Sequence, residues 1–166
     1  MIILGLDPGT AITGYGLIES GRGSELRQIA YGCLRSESGL VMEKRLLKLY
    51  DGLRLLLAEY NPDEVAIEQL FFNRNVTTAG PVGQARGVLL LACAQAQLPL
   101  AEYTPLEVKL AVAGYGRAEK QQMQYMVTRI LQLKETPKPD DAADALAVAI
   151  AHAQSRRLAR LTGNGK

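Results

Sequence analysis

The chain of 166 residues is poor in the side chains that bind transition metals. It contains two cysteines, Cys33 and Cys93, and a single histidine, His152. Both cysteines stand alone in apolar segments, so we expect reduced, buried thiols in a cytoplasmic protein rather than a disulfide or a zinc pair. The common zinc sites need several cysteine or histidine ligands, which this sequence cannot supply. Any metal bound here must therefore be held by oxygen ligands.

Long apolar runs are absent too. No segment approaches the ~18 uninterrupted apolar residues that a membrane span requires, and no basic and apolar leader ends in a small-residue cleavage site. The length of 166 residues is typical of one domain with its own core. We place that domain at residues 1–155 and expect residues 156–166 to form a flexible basic tail.

Neither sign of charge dominates the composition. The sequence has 19 lysines and arginines and 17 aspartates and glutamates, for a formal net charge of +2. If four of the acids hold a metal, 13 acids remain against the 19 basic residues, an excess of six. A surface with this excess can bind a polyanion while metal ions neutralise the acidic centre. Many proteins share such a balance, so it points only weakly to nucleic acid.

The N-terminal stretch, residues 2–10, predicts a strand buried on both faces, because an apolar run leads directly into a Pro-Gly turn. Asp7 is the last residue of that run. The carboxyl ends of strands in α/β sheets commonly bind ligands. Aspartate, proline and glycine also favour turns, so Asp7 taken alone could simply begin the turn.

The rest of the chain alternates strand and helix patterns. Residues 13–19 and 26–35 predict two further strands, which form an antiparallel meander with the first. Leucines at helical spacing predict an amphipathic helix over residues 41–60, before a fourth strand at 64–68. The remaining predicted elements are a helix at 77–97, a strand at 98–103, and helices at 104–113, 118–133 and 140–155. Together they indicate an α/β fold with a five-stranded mixed sheet flanked by helices.

The fourth strand is expected to bring a second carboxylate to Asp7. A helix joins this strand to the meander, so it should lie parallel to a meander strand through a right-handed crossover. If its neighbour is the first strand, Asp7 and Glu68 end at the same edge of the sheet. They then share a face that Gly5 and Ala66 leave open to close packing.

The last predicted helix begins with three aspartates. Asp141 and Asp144 are three residues apart and therefore share a face. Helix caps and the macrodipole favour acids in a first turn, which explains Asp140 and could explain Asp141. They do not explain Asp144, because aspartate is a poor helix former and the surrounding helix is rich in alanine. The alanines would let this helix approach the open face of the sheet.

Such a cluster of acids predicts a metal site. Several carboxylates brought together repel one another and raise each other's pKa unless a cation compensates. Oxygen ligands without histidine or cysteine suit Mg²⁺ or Mn²⁺. Two such ions ~4 Å apart can activate a water and stabilise the leaving oxygen in phosphodiester hydrolysis. The sequence thus predicts a phosphodiester hydrolase with two Mg²⁺ ions per site, for which Mn²⁺ can substitute.

Several motifs together resemble the RuvC family of Holliday-junction resolvases. The matching segments are GLDPGT (5–10), TGYG (13–16), AIEQ (66–69) with Phe71, GQARG (83–87), VK (108–109), AEK (118–120) and DAADALA (141–147). The resemblance implies an RNase H-like fold and a homodimer that resolves four-way DNA junctions by paired symmetric nicks. It also implies a branch-migration motor complex as a partner. We expect the second subunit to cover the helix at 77–97, because its run at residues 88–93 is apolar on every side.

The resemblance also implies the roles of individual residues. Carried over by position, the catalytic, metal-binding acids are Asp7, Glu68, Asp141 and Asp144. Asp140 is an additional acid, although the i, i+3 pairing favours Asp141 as the ligand. Lys109 and Lys120 match lysines near the scissile phosphate, and Phe71 matches a residue that stacks on an unpaired base. Phosphate contacts are expected from Arg74, Arg86, Arg117 and Arg129.

His152 is expected to have a packing or surface role, because it lies ~16 Å along its helix from Asp141, too far to share a metal with it. Tyr103 and Tyr115 are interpreted in the same way.

Two other functions are alternatives to the resolvase. The GLDPGT loop also resembles the first phosphate loop of actin-like nucleotide-binding phosphotransferases, but these need a second loop and lobe. A junction-binding protein without cleavage is the other alternative.

Overall fold

The computed structural model describes residues 1–21, 23–70 and 76–163. Phe71 and Arg74, for which DNA contacts are expected, lie outside the described residues. Within the described part, the strands are β1 (Ile2–Asp7), β2 (Ile12–Ser20), β3 (Leu26–Arg35), β4 (Glu64–Glu68) and β5 (Leu100–Tyr103). The helices are α1 (Met42–Tyr60), α2 (Val76–Gln95), α3 (Pro105–Ala113), α4 (Lys120–Ile130) and α5 (Asp140–Leu161).

The five strands form one mixed sheet in the order β3-β2-β1-β4-β5. β1, β2 and β3 pair antiparallel, as the predicted meander requires. β4 lies parallel to β1 and β5 lies parallel to β4. The predicted α/β fold with a five-stranded mixed sheet is confirmed, including the placement of β4 beside β1.

Each face of the sheet has its own core. Leu4, Leu6 and Ile67 are fully buried on the face covered by α1 and α2, together with Leu53 and Leu89 of those helices. The opposite face, which carries Ile3 and Ala66, packs against α3, α4 and α5. Alternate residues of β1 and β4 therefore enter different cores, as the period of a strand dictates.

α5 lies unusually close to the sheet because glycines face it. A Cβ added at Gly5 would lie 2.1 Å from the carbonyl oxygen of Ala145, and one added at Gly14 would lie 1.9 Å from that of Asp141. Real Cβ atoms do not approach backbone oxygens so closely, so only glycine fits at either position. The close contact fixes the first two turns of α5 over β1 and β2.

Local sequence signals set the starts of helices more accurately than their ends. α3 begins with a capping box, in which the Thr104 hydroxyl accepts from the Glu107 N–H and Pro105 is the first helical residue. The predicted end of α5 at residue 155 was wrong, since the helix continues to Leu161. Residues 156–161 of the predicted tail are therefore helical. Within the described part of the chain, no helix combines the length and the apolarity needed to cross a membrane.

Candidate active site

Asp7 and Glu68 leave neighbouring parallel strands at the same edge of the sheet. Gly5 pairs with Ala66 and Leu6 with Ile67, so the next residue of β1 and of β4 reaches the edge together. The two carboxyl groups share a hydrogen bond. The expected proximity of Asp7 and Glu68 is confirmed, although the placement alone does not test their catalytic role.

The surroundings of Asp7 and Glu68 raise the pKa of both carboxyl groups. Burial, followed by the charges of Glu68 and Asp144, raises the pKa of Asp7 to about 8. Burial also raises the pKa of Glu68, but the hydrogen bond from Asp7 and the charge of Lys109 act in the opposite direction. At neutral pH the pair therefore retains a proton, which the two carboxyl groups share through their hydrogen bond.

α5 brings its acids to the same place from above the sheet. Burial raises the pKa of Asp144, while Lys120 opposes that rise. The charge of Asp141 raises the pKa of both Asp7 and Asp144, so these three acids are close enough to repel one another. The backbone contact between Asp141 and Gly14 sets this approach, because Gly14 is the β2 partner of Asp7.

Asp140 points away from this cluster. Its Oδ2 lies 3.0 Å from Lys120 Nζ, and its Oδ1 accepts a hydrogen bond of 2.9 Å from Gln124. These partners, with Lys120 first, lower the pKa of the exposed Asp140 carboxyl. The geometry therefore favours Asp141 over Asp140 as the acid that lies near Asp7, because Asp140 pairs with Lys120 instead.

The two lysines lie where acids and solvent meet. Lys109 and Lys120 line a cleft of about 220 Å³ together with Glu68 and Asp144. Lys120 Nζ lies 3.6 Å from Asp144 Oδ2 in addition to its contact with Asp140. The hydrogen bond with Asp140 is the largest cause of a raised pKa for Lys120, so this ammonium is charged at neutral pH. A phosphate entering the cleft would meet two positive groups beside the acids.

The expected arginine contacts are placed differently from one another. Arg86 on α2 forms an ion pair of 2.6 Å with Glu102 of β5, on the face of the sheet opposite the acids. Arg117 and Arg129 are exposed, the former in the turn before α4 and the latter in its last turn. The role of each in DNA binding stays a prediction, and Arg86 could take it up only by leaving Glu102.

The donor chemistry of the cluster fits a hard divalent cation. The acids from β1, β4 and α5 offer oxygen atoms alone, and their pKa values are raised first by burial, a cost of ionisation that a bound cation would offset. Across residues 1–21, 23–70 and 76–163, however, no three acidic, histidine or cysteine side chains converge closely enough to hold a metal ion in this conformation. Asp7 would have to lose its proton, and Asp144 would have to turn from Lys120, before the carboxylates could converge.

A buried polar cluster at the other end of β4 was not anticipated. His152 was expected to pack or to lie at the surface, but it is 4% exposed and its Nε2 lies 2.6 Å from Glu64 Oε2. Tyr103 completes the contact with its hydroxyl 2.8 Å from His152 Nδ1. The sequence signal was Glu64 itself, an acid in a strand that is otherwise buried.

Carboxylates from two adjacent parallel strands and from one helix packed across them define an RNase H-like nuclease class. The model of one family, described as crossover junction endodeoxyribonuclease RuvC, matches residues 3–152. The chain belongs to this RuvC family.

Individual relatives cover nearly the whole chain. The RuvC crossover junction endodeoxyribonuclease of Desulforamulus reducens is 61% identical over 93% of this chain and 94% of its own. That of Clostridioides difficile is 54% identical over 99% and 96%, respectively. Thermus thermophilus RuvC, solved in complex with a Holliday junction substrate, superposes with a TM-score of 0.90 at 34% identity, covering 99% of this chain and 97% of that one.

Proposed function

We propose that this chain is a metal-dependent endonuclease that resolves four-way DNA junctions by paired nicks. The observation that carries the proposal is the meeting of Asp7, Glu68 and Asp144 beside Lys109 and Lys120 at one edge of the sheet. The family membership supplies the substrate class, since a close structural relative was solved with a Holliday junction substrate. Recombination and DNA repair are the processes that need such a reaction.

The reaction is the hydrolysis of one phosphodiester in each of two strands. A water loses a proton and its oxygen bonds to phosphorus, while the bond from phosphorus to the 3′ oxygen breaks. That oxygen takes up a proton, which leaves 3′-hydroxyl and 5′-phosphate ends. When bound, two Mg²⁺ ions, or Mn²⁺ in their place, supply the charge that activates the water and stabilises the leaving oxygen.

The side chains of this chain have distinct parts in that scheme. Asp7, Glu68, Asp141 and Asp144 would hold the cations, and Asp7 must give up its proton to do so. Lys109 and Lys120 place positive charge where the phosphate gains negative charge in the transition state. Phe71 is a proposed DNA contact on the family pattern, and Arg74, Arg86 and Arg117 are proposed because basic side chains bind phosphates.

A junction cleavage assay tests this function directly. The protein is incubated with a synthetic four-way junction and with linear duplexes of the same sequences, in Mg²⁺ and in EDTA. We expect paired nicks in the junction alone, with Mg²⁺ alone. Junction binding without nicks in any divalent metal would indicate a binding protein, and nucleotide binding without junction binding would favour the phosphotransferase alternative.

The second subunit is proposed to cover the exposed side of α2. Gly80, Gln84, Gly87 and Leu91 follow one another along this side at helical spacing, and Leu91 is 53% exposed. The small residues allow the helix of a second copy to approach closely, and a two-fold dimer matches a junction that needs two equivalent cuts. The branch-migration motor stays a prediction from the family resemblance.

Leu91→Glu is expected to convert the dimer into a monomer. The substitution would bury a carboxylate without a partner at the centre of the interface, which costs several kcal/mol. Sedimentation equilibrium gives the mass directly. Leu161→Glu, at a 73% exposed position near the end of α5, is the matched control and should leave the dimer intact. A dimer that tolerates Leu91→Glu would place the interface elsewhere.

A further inference from the structure

The polar cluster below the acids joins three elements of the fold. Glu64 begins β4, Tyr103 ends β5, and His152 and Arg156 belong to α5. His152 lies between the other two, with 2.6 Å to Glu64 and 2.8 Å to Tyr103. Arg156 Nη2 lies 3.0 Å from the second carboxylate oxygen of Glu64. We call these four residues the strand–helix network.

The hydrogen bonds of the network have a defined direction. A carboxylate can only accept, so His152 Nε2 carries a hydrogen and donates it to Glu64. In the neutral imidazole, Nδ1 is then an acceptor and takes the hydrogen of the Tyr103 hydroxyl. Burial favours this neutral form, because it lowers the pKa of His152. Every polar atom of the imidazole is thus used to fix its neighbours.

Tyr103 connects this network to the acids. It is the β5 residue paired with Glu68, and its carbonyl accepts a 2.8 Å hydrogen bond from the N–H of Gln69. Paired residues of adjacent strands present their side chains on the same face of a sheet. The Tyr103 ring therefore lies beside the Glu68 side chain, while its hydroxyl is held by α5.

α5 links His152 of the network to Asp144 of the active site. His152 follows Asp144 by eight residues, which is ~12 Å along a helix axis. A helix is stiff over that length, so a contact that fixes His152 against β4 and β5 also limits how far Asp144 can move from Glu68. The strand–helix network thus connects the strand that carries Glu68 to the helix that carries Asp144.

We propose that Tyr103 and His152 are positioning residues of the active site, which hold Glu68 and Asp144 at the separation that the cations and the scissile phosphate require. The inference rests on the proposed function. It goes beyond packing, since a network that served stability alone could be loosened without changing the geometry among the acids.

Tyr103→Phe tests this proposal with the smallest change. The ring remains beside Glu68 and one hydroxyl is lost. We expect kcat on the junction to fall about tenfold, because small misplacements of reacting groups are costly, while KM changes less than about twofold. We also expect weaker Mn²⁺ binding by the protein without DNA, measured by titration calorimetry or by the free-Mn²⁺ spin resonance signal.

The matched control is Tyr31→Phe. Tyr31 packs against the same core from β3 but takes no part in the strand–helix network. Removal of the Tyr31 hydroxyl should leave kcat and Mn²⁺ affinity unchanged.

Glu64→Gln provides a second variant, since glutamine keeps the size of the side chain and an acceptor for His152. It should lower kcat by about threefold, and Tyr103→Phe with Glu64→Gln should be no worse than Tyr103→Phe, because residues that act as a unit are not additive.

The outcomes are separable. A Tyr103→Phe protein with a lower melting temperature but unchanged kcat and Mn²⁺ affinity would overturn the positioning role. If Tyr103→Phe does not fold, the same readouts on Glu64→Gln decide the question. Failure of the wild-type protein to bind Mn²⁺ or to cut junctions would overturn the proposed function instead. The wild-type protein is therefore measured before the variants.

Discussion

Replacing Asp7 with asparagine is expected to abolish junction cleavage and, at the same time, to make the metal-free protein more stable near neutral pH. Asparagine keeps the shape of the side chain but cannot supply a carboxylate to a cation. The loss in kcat should be roughly 10³-fold or more, since cation stabilisation of the transition state is worth several kcal/mol. Junction binding should survive, because it depends mainly on contacts to many phosphates.

The gain in stability follows from the raised pKa of Asp7. Its pKa is about 8 in the folded protein, against an ordinary value of 3.8. The folded state therefore binds the proton more tightly than the unfolded state does. The contribution of Asp7 is fully present below about pH 4 and is lost as the pH rises through 8. At pH 7 this loss is on the order of 4 kcal/mol, and asparagine, which does not ionise, avoids it.

Thermal melts in EDTA between pH 5 and pH 8.5 measure this effect. The wild-type protein should lose stability as the pH rises, and Asp7→Asn should lose much less. Asp140→Asn is the control, because Asp140 is exposed and its pKa is lowered by Lys120, so the substitution should not raise the melting temperature. Parallel pH curves for the wild type and Asp7→Asn would show that Asp7 is ionised in the folded protein, contrary to the hydrogen bond with Glu68.

Gly5→Ala is expected to destabilise the fold severely. The added methyl carbon would lie 2.1 Å from the carbonyl oxygen of Ala145 and 2.7 Å from the amide nitrogen of Ala149. Both are backbone atoms of α5, so no side chain can rotate to make room. The helix must move off β1, at a cost of about 3 kcal/mol or more. Such a shift would also separate Asp144 from Asp7.

Urea denaturation with a circular dichroism signal measures this cost. Gly39→Ala is the matched control, since a methyl group there meets no atom within 4 Å. We expect the midpoint of Gly39→Ala to stay near that of the wild type, and Gly5→Ala to unfold at much lower urea or to express without folding. A Gly5→Ala protein of normal stability and normal kcat would contradict the close packing of α5 on β1.

The sequence predicted those parts of the fold that local patterns and topology rules determine. The bounds of β3 and β4 were correct, because turn residues flank β3 and precede β4. The crossover rule predicted that β4 lies parallel to a meander strand, and the sheet order, with β4 beside β1, brings Asp7 and Glu68 together. The end of α5 was missed because three of residues 156–161 are arginines and the alanine pattern that identified the helix stops before them.

Long-range polar contacts could not be predicted in this way. Glu64 and His152 are separated by 88 positions, and no local spacing relates them. Arg86 gave the same difficulty, since the chain shows no sign of its pairing with Glu102 before the sheet order is known. For the acids, residue type and position were sufficient to name the cluster, whereas the sharing of a proton between Asp7 and Glu68 required the folded burial of both.

The pairing of Lys120 with Asp140 and Asp144 affects how this lysine contributes to DNA binding. A solvated lysine gives up no protein partner when it meets a phosphate, and the DNA releases a condensed counterion in exchange. Lys120 must leave two carboxylates at 3.0 and 3.6 Å to do the same. Within the protein, these two carboxylates therefore already neutralise much of the positive charge of Lys120. In a plot of the logarithm of DNA affinity against the logarithm of salt concentration, Lys120 should therefore add little to the slope. Its contact with DNA is limited to a phosphate that enters the cleft.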